Sequence, residues 1–118
     1  KQIVICDRFV DSTLAYQVYG KKVDRRFIEN IHKFILKNIK ADLNIVLKVN
    51  AKSASQRLKK RKTKNRYDKF PQTFYTKAQN SFLNIAKNKK NYYVFDSSNN
   101  TTYLEEKILN LVIDKLQK

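Results

Sequence analysis

One glycine, one proline and one cysteine in 118 residues exclude several kinds of protein before any motif is sought. Without clusters of Gly and Pro there is no flexible linker and no low-complexity tract, and no repeat of solenoid length appears. The lone Cys6 rules out an internal disulfide, and its place in the apolar run Ile3-Val4-Ile5-Cys6 makes it a small buried side chain rather than a reactive thiol. No apolar run approaches the roughly 18 to 20 residues needed to cross a bilayer, and the first residues lack the apolar stretch and cleavage site of a signal peptide. We therefore expect a cytoplasmic protein with no membrane partner. Acidic residues are scarce too, 10 against 26 Lys and Arg, for a net charge of +16. That excess admits nucleic acid, an anionic membrane surface or a polyphosphate substrate. A Lys-, Asn- and Ile-rich compositional bias would place many of the same lysines on solvated faces.

What is present supports a packed interior. Apolar residues make up 42% and aromatics 12%, enough for one modest domain over 1–118 and too little chain for two. Short apolar runs alternate with helical patterns. Ile3–Cys6 ends at Asp7-Arg8, as a strand buried on both faces of a parallel sheet would, and Asp11 or Ser12 is placed to cap a short helix. From Asp24, an N-cap residue, Phe27, Ile28, Ile31, Phe34, Ile35 and Ile39 recur at helical spacing up to Lys40, which predicts a helix packed on a sheet. Leu43–Val49 reads as a second strand. A helix from about Ser53 carries Arg57 and Arg61 four residues apart, on one face. A further helix from Gln72 has Phe74, Ala78, Phe82 and Ile85 in one stripe, and Tyr92–Asp96 reads as a third strand. The last helix is predicted to open on a capping box of Thr102 and Glu105 and to bury Ile108, Leu111, Val112 and Leu116. The order implies an α/β domain with a mostly parallel sheet. Three strands make a narrow parallel sheet and the chain opens in mid-strand, so we expect an N-terminal truncation.

Ligands of open α/β sheets gather beyond the carboxyl ends of the strands, where Asp7-Arg8 is expected. A carboxylate there can hold hydrated Mg²⁺, and a guanidinium fork suits phosphate oxygens. The wider string Asp7-Arg8-Phe9-Val10-Asp11-Ser12-Thr13-Leu14-Ala15-Tyr16-Gln17 resembles the "DRY..S..AYQ" motif of thymidylate kinases. Ala41-Asp42-Leu43-Asn44-Ile45-Val46-Leu47-Lys48-Val49 is similar to the family's "PDLTIxLDV" strand, and the likeness continues through the Arg-rich segment to the closing helix.

The resemblance implies a P-loop kinase-like parallel sheet with flanking helices, of which this chain is the C-terminal portion, without the N-terminal strands and the P-loop. The implied activity is transfer of the ATP γ-phosphate to dTMP, giving dTDP and ADP, with Mg²⁺ bridging phosphates. Arg8 would contact the dTMP monophosphate, with Asp7 near the metal. Ser12, Thr13, Tyr16 and Gln17 would line the thymine and sugar pocket. The segment about 57–70 is similar to the family's lid over ATP, with Arg57, Arg61 and Arg66 toward ATP and Arg61 and Arg66 the phosphate contacts. Family members are commonly homodimers, and the helix from Asp24 would contribute to the interface.

Departures from the family pattern mark where this chain differs. The lid's usual "DRxE" is Asn65-Arg66-Tyr67-Asp68, Lys48 stands where Asp is common, and Ala41 where Pro is common. His32 is expected to be a surface or packing residue rather than a ligand. No Gly-x-x-x-x-Gly-Lys-Ser/Thr loop occurs, so the backbone amides that would cradle ATP phosphates are not among these residues, and the chain alone is expected to be inactive. Two other readings fit parts of the sequence. A related nucleotide or deoxynucleoside kinase shares such sheets and lids, but the run Ser12–Gln17 favours dTMP. A basic nucleic-acid module would use Lys59–Lys64 with Tyr67, Phe70 and Tyr75 for stacking, yet no recognised DNA- or RNA-binding motif is present, so no nucleic-acid partner is expected.

Overall fold

A computed structural model describes residues 2–99 and 101–118, apart from the side chain of Tyr67. The stacking role considered for Tyr67 therefore lies outside the described residues. The order of elements is α1 (Val10–Thr13), a π-helix (Leu14–Gly20), α2 (Arg25–Leu36), β1 (Asn44–Lys48), α3 (Ala51–Lys60), a 3₁₀ turn (Arg66–Lys69), α4 (Gln72–Ala86), β2 (Tyr92–Asp96) and α5 (Thr102–Gln117). The chain is α/β, and β1 and β2 pair in parallel, as the alternation of patterns predicts, from Asn44 opposite Tyr92 to Lys48 opposite Asp96. Contacts divide it into two compact units, one formed by residues up to Lys40 with Gln72–Ile85, the other by Ala41–Pro71 with Ala86–Lys118.

In the first unit Ala15, Ile28, Ala78, Ser81 and Ile85 are buried. The stripe predicted on α4 thus forms, with Phe74 and Phe82 half-buried between its small residues. The Asp24 cap also forms: its Oδ1 accepts the Phe27 N–H at 2.8 Å, which stabilises a helix start by about 1 kcal/mol. Other expectations need correction. Ile3–Cys6 is not a strand, and Ile5 is 91% exposed. A strand exists only by its ladder, and the first unit holds no strand among the described residues. Cys6 is accordingly exposed, not buried. For the same reason the apolar face of α2 has no sheet within its unit. Ile28 is buried, whereas Phe34 is 84% exposed. The helix also stops at Leu36 rather than Lys40, because Lys37 takes a left-handed φ of 51°. Asp11 and Ser12 lie inside α1 rather than capping it. The Phe9 carbonyl already accepts the Ser12 N–H at 3.0 Å, and no side chain caps the helix.

The second unit is built around the two-stranded ladder. Polar side chains extend it at both ends. Asn91 Nδ2 donates to the Ala41 carbonyl at 3.1 Å, and the Ser97 N–H and Oγ–H both donate to the Lys48 carbonyl, at 2.8 and 3.0 Å. The α3 helix begins earlier than Ser53, because Asn50 is its cap and accepts the Ser53 N–H at 2.8 Å. In α5, Ile108, Leu111 and Val112 are half-buried as expected, but Leu116 is exposed. Its capping box does not form: Thr101, not Thr102, holds the cap position and makes no side-chain bond. The Thr101 carbonyl accepts from Leu104 and Glu105, so the helix starts one residue ahead of the register that a Thr102–Glu105 pair requires.

Candidate active site

The sequence-predicted residues fall in both units. Asp7, Arg8, Ser12, Thr13, Tyr16 and Gln17 belong to the first, and Arg57, Arg61 and Arg66 to the second. In the first, the chain bends at Asp7-Arg8, and Arg8 takes φ 66°. A residue with a Cβ enters that region at a cost of about 1–2 kcal/mol, and such strain collects at functional positions. Cys6 supports the bend, its thiol donating to the Arg8 carbonyl at 3.3 Å. The exposed Arg8 guanidinium lies over the Tyr16 ring, 5.3 Å from its centroid, an arrangement worth about 0.5–1 kcal/mol at an exposed site.

Tyr16 is held from behind. Its ring lies 5.8 Å from that of Phe74, tilted, and 6.1 Å from that of Phe82, edge-on. Helical spacing predicts both phenylalanines in a core stripe and gives no link to Tyr16. The connection depends on contacts far apart in sequence and leaves no local signal. The segment Leu14–Gly20 is π-helical, a form often found at functional sites. Ser12 stands one turn before Tyr16, and Ser12 and Thr13 are both half-buried. The Gln17 Oε1 is buried with no hydrogen-bond partner among the described residues, an unmet acceptor of the kind that a ligand's N–H satisfies.

In the second unit the arginines are anchored differently. Arg57 Nη2 donates to the carbonyls of Ser97 and, at 3.1 Å, Ser98, which joins α3 to the chain just past β2. Arg61 Nη1 contacts both carboxylate oxygens of Asp68, at 2.9 and 3.1 Å. Asp68 Oδ2 also accepts the Asn65 N–H at 2.7 Å, while Asn65 Oδ1 accepts the Asp68 N–H at 3.1 Å. Asn65 and Asp68 thus form the reciprocal cap of the 3₁₀ turn that begins at Arg66, a pattern known from capping boxes. Although these positions depart from the family's Asp and Glu, they keep a closed turn.

The Asn65 N–H first, then the Arg61 guanidinium, hold the Asp68 carboxyl below its ordinary range. A depressed carboxyl favours the folded turn above the unfolded pKa, and that contribution is lost as pH falls through the folded value. Acidification below the usual carboxylate range is therefore expected to release Asn65 and Arg61. The Asn65 amide chemical shift, followed by NMR from neutral pH downward, should move with the protonation of Asp68. His32 is half-buried, and no group of three or more metal-ligating side chains occurs among the described residues.

The Asp-Arg bend leads into the helix that carries Tyr16, within the segment that comparison with known proteins covers. A family model described as "Thymidylate kinase" matches residues 1–108. The chain belongs to the thymidylate kinase family. Among curated relatives, a thymidylate kinase of Wolbachia pipientis wMel is 43% identical across 72% of this chain and 41% of its own length. One from Mesomycoplasma hyopneumoniae strain J is 32% identical across 99% of this chain and 54% of its own. Another, from Wolbachia pipientis subsp. Culex pipiens strain wPip, is 36% identical across 98% and 54%. The chain thus spans about half the length of the curated relatives it matches. Membership implies the P-loop kinase fold, to which the parallel β1–β2 pair and its helices conform.

Proposed function

We propose that the complete protein transfers the γ-phosphoryl group of ATP to dTMP, giving dTDP and ADP on the way to dTTP, in the cytoplasm. The observation that carries this reading is the Arg8–Tyr16 stack within the family's Asp-Arg…Ala-Tyr-Gln segment. An exposed guanidinium fork fixed on an aromatic face is preorganised for a monophosphate. Tyr16, packed by Phe74 and Phe82 and covered by Arg8, offers its remaining ring edge for packing beside a pyrimidine, with Ser12, Thr13 and Gln17 supplying polar groups for the base edge and sugar. The unmet Gln17 acceptor suits the single N–H donor on the thymine edge.

Phosphoryl transfer depends mainly on positioning and on charge neutralisation. An oxygen of the dTMP phosphate attacks the γ-phosphorus as the bond to the ADP oxygen breaks. Arg61 and Arg66 carry charge to the migrating group from the lid. Among the described residues Arg57 donates from Nη2, which leaves its Nε and Nη1 edge for ATP. Asp7, exposed at the bend, would hold Mg²⁺, an ion that proteins usually bind through one or two carboxylates, and the ion would supply charge neutralisation. The phosphate-cradling loop is not among these residues, and the 118-residue chain by itself is proposed to be inactive.

A coupled assay of ADP release with dTMP, ATP and Mg²⁺ tests the proposal, run on this chain and on the protein extended by its upstream coding sequence. Turnover of dTMP by the extended protein alone is the expected result. Turnover of another nucleotide with dTMP ignored overturns the dTMP assignment and leaves a related nucleotide kinase. Affinity for single-stranded DNA above that for nucleotides, falling steeply with salt, overturns the kinase reading itself.

We also propose that the complete protein is a homodimer to which the apolar face of α2 contributes. No helix among the described residues is long and apolar enough to cross a membrane, whereas Phe34 and Ile35 stand exposed on α2. Sedimentation of the extended protein should show a dimer that Phe34→Glu shifts toward monomer.

A further inference from the structure

The pairing of Arg61 with Asp68 has a consequence for how the lid engages ATP. A guanidinium presents the same planar fork to carboxylate and to phosphate, and one nitrogen of Arg61 already spans both oxygens of Asp68. The Asp68 carboxylate is in turn fixed by the Asn65 N–H at 2.7 Å, so it cannot follow the arginine without opening the 3₁₀ turn. The Arg61 side chain is 55% exposed and that of Asp68 only 9%. The arginine is the solvent-facing partner, and the carboxylate is the one tied to the turn backbone. The charge of Lys64 adds a smaller contribution that also favours the ionised carboxylate.

We infer that Asp68 is a positioning residue that holds Arg61 as an internal counter-ion when ATP is absent, and that Arg61 exchanges this carboxylate for a phosphate oxygen when ATP binds. The inference rests on the reading of Arg61 as an ATP-phosphate contact. Exchange makes ATP compete with Asp68, so nucleotide affinity is set partly by the strength of the internal pair. It also returns Arg61 to a defined place after product leaves, rather than leaving a free cation to retain ADP.

Equilibrium binding of ATP to the extended protein tests this, in native form and with Asp68→Asn, Arg61→Ala and both substitutions. Asn at position 68 keeps an oxygen for the Asn65 N–H and removes only the charge. Asp68→Asn is expected to tighten ATP binding about threefold to fivefold, the scale of an exposed ion pair, and Arg61→Ala to weaken it. In the Arg61→Ala background the Asp68→Asn change should have little effect. Weaker ATP binding by Asp68→Asn overturns the inference, as does an equal gain with and without Arg61, which would mean a general change in charge. ATP binding untouched by Arg61→Ala also overturns it. Because this cycle requires no acceptor nucleotide, its outcome is independent of whether dTMP is the substrate: a protein that ignores dTMP but shows the coupling retains the exchange and loses only the acceptor assignment.

Discussion

Replacing Arg8 by Ala in the extended protein should lower kcat/KM for dTMP by about a hundredfold to a thousandfold, the range seen when one charged or oxyanion-binding donor is removed from a site. The loss is expected because a strained backbone and an aromatic face already hold this guanidinium in place before substrate arrives. The positive φ of Arg8, the Cys6 thiol on its carbonyl and the Tyr16 ring beneath it all reduce its freedom. Little ordering remains to oppose phosphate binding. Arg8→Lys keeps the charge but loses the planar fork and most of the stacking, so it should recover only part of the activity. Because Arg8 is exposed and strained, neither variant should unfold the protein, which circular dichroism and thermal unfolding would verify. Activity retained within a few-fold by Arg8→Ala would remove Arg8 from the proposed mechanism.

Gly20→Ala should destabilise the first unit by about 1–3 kcal/mol, the usual cost of overpacking, read as a lower midpoint in urea or thermal unfolding. Gly20 does not have a positive φ; it is required by a close approach. A Cβ there would stand 2.8 Å from Phe74 Cε2 and 3.2 Å from its Cζ. The tip of a flexible side chain could yield, but the half-buried Phe74 ring also packs against Tyr16 at 5.8 Å and Tyr75 at 6.0 Å. The helix-propensity gain of about 0.5–1 kcal/mol for Ala over Gly is reduced at a helix's last residue, so the clash should dominate. Displacing Phe74 also disturbs the wall behind Tyr16, so KM for dTMP should rise. A smaller residue opposite the added methyl, Phe74→Leu combined with Gly20→Ala, should restore part of the stability.

Phe74 illustrates what could not be read locally. Its helical spacing with Ala78 and Phe82 predicts a buried stripe, and α4 provides one. Which side chain those rings would meet is decided by a contact with residues more than fifty positions earlier, and spacing within a helix carries no information about it. Asn65 and Asp68 are a different case. In the sequence they appear as departures from a familiar motif. In the fold their side chains cap each other's backbone, which depends on the turn geometry of Arg66–Lys69.

Other expectations failed for a common reason. Ile3–Cys6 and the face of α2 have the composition of segments covered by a sheet, yet among the described residues the first unit has no strand to cover them. Periodicity reports what a segment requires of its neighbours and not whether they are there. The Thr102–Glu105 box failed by one residue, because a backbone carbonyl closed the first turn before the side chains could.

By itself the sequence determined the kind of element at most positions, the parallel β1–β2 pair, the Asp24 cap and the family, because periodicity, turn chemistry and a contiguous motif are local properties. Tertiary structure alone decided that Arg8 rests on Tyr16, that Phe74 and Gly20 meet, and that Arg61 is held by Asp68. Those outcomes depend on distances between side chains that the fold brings together, and a one-dimensional pattern does not contain them.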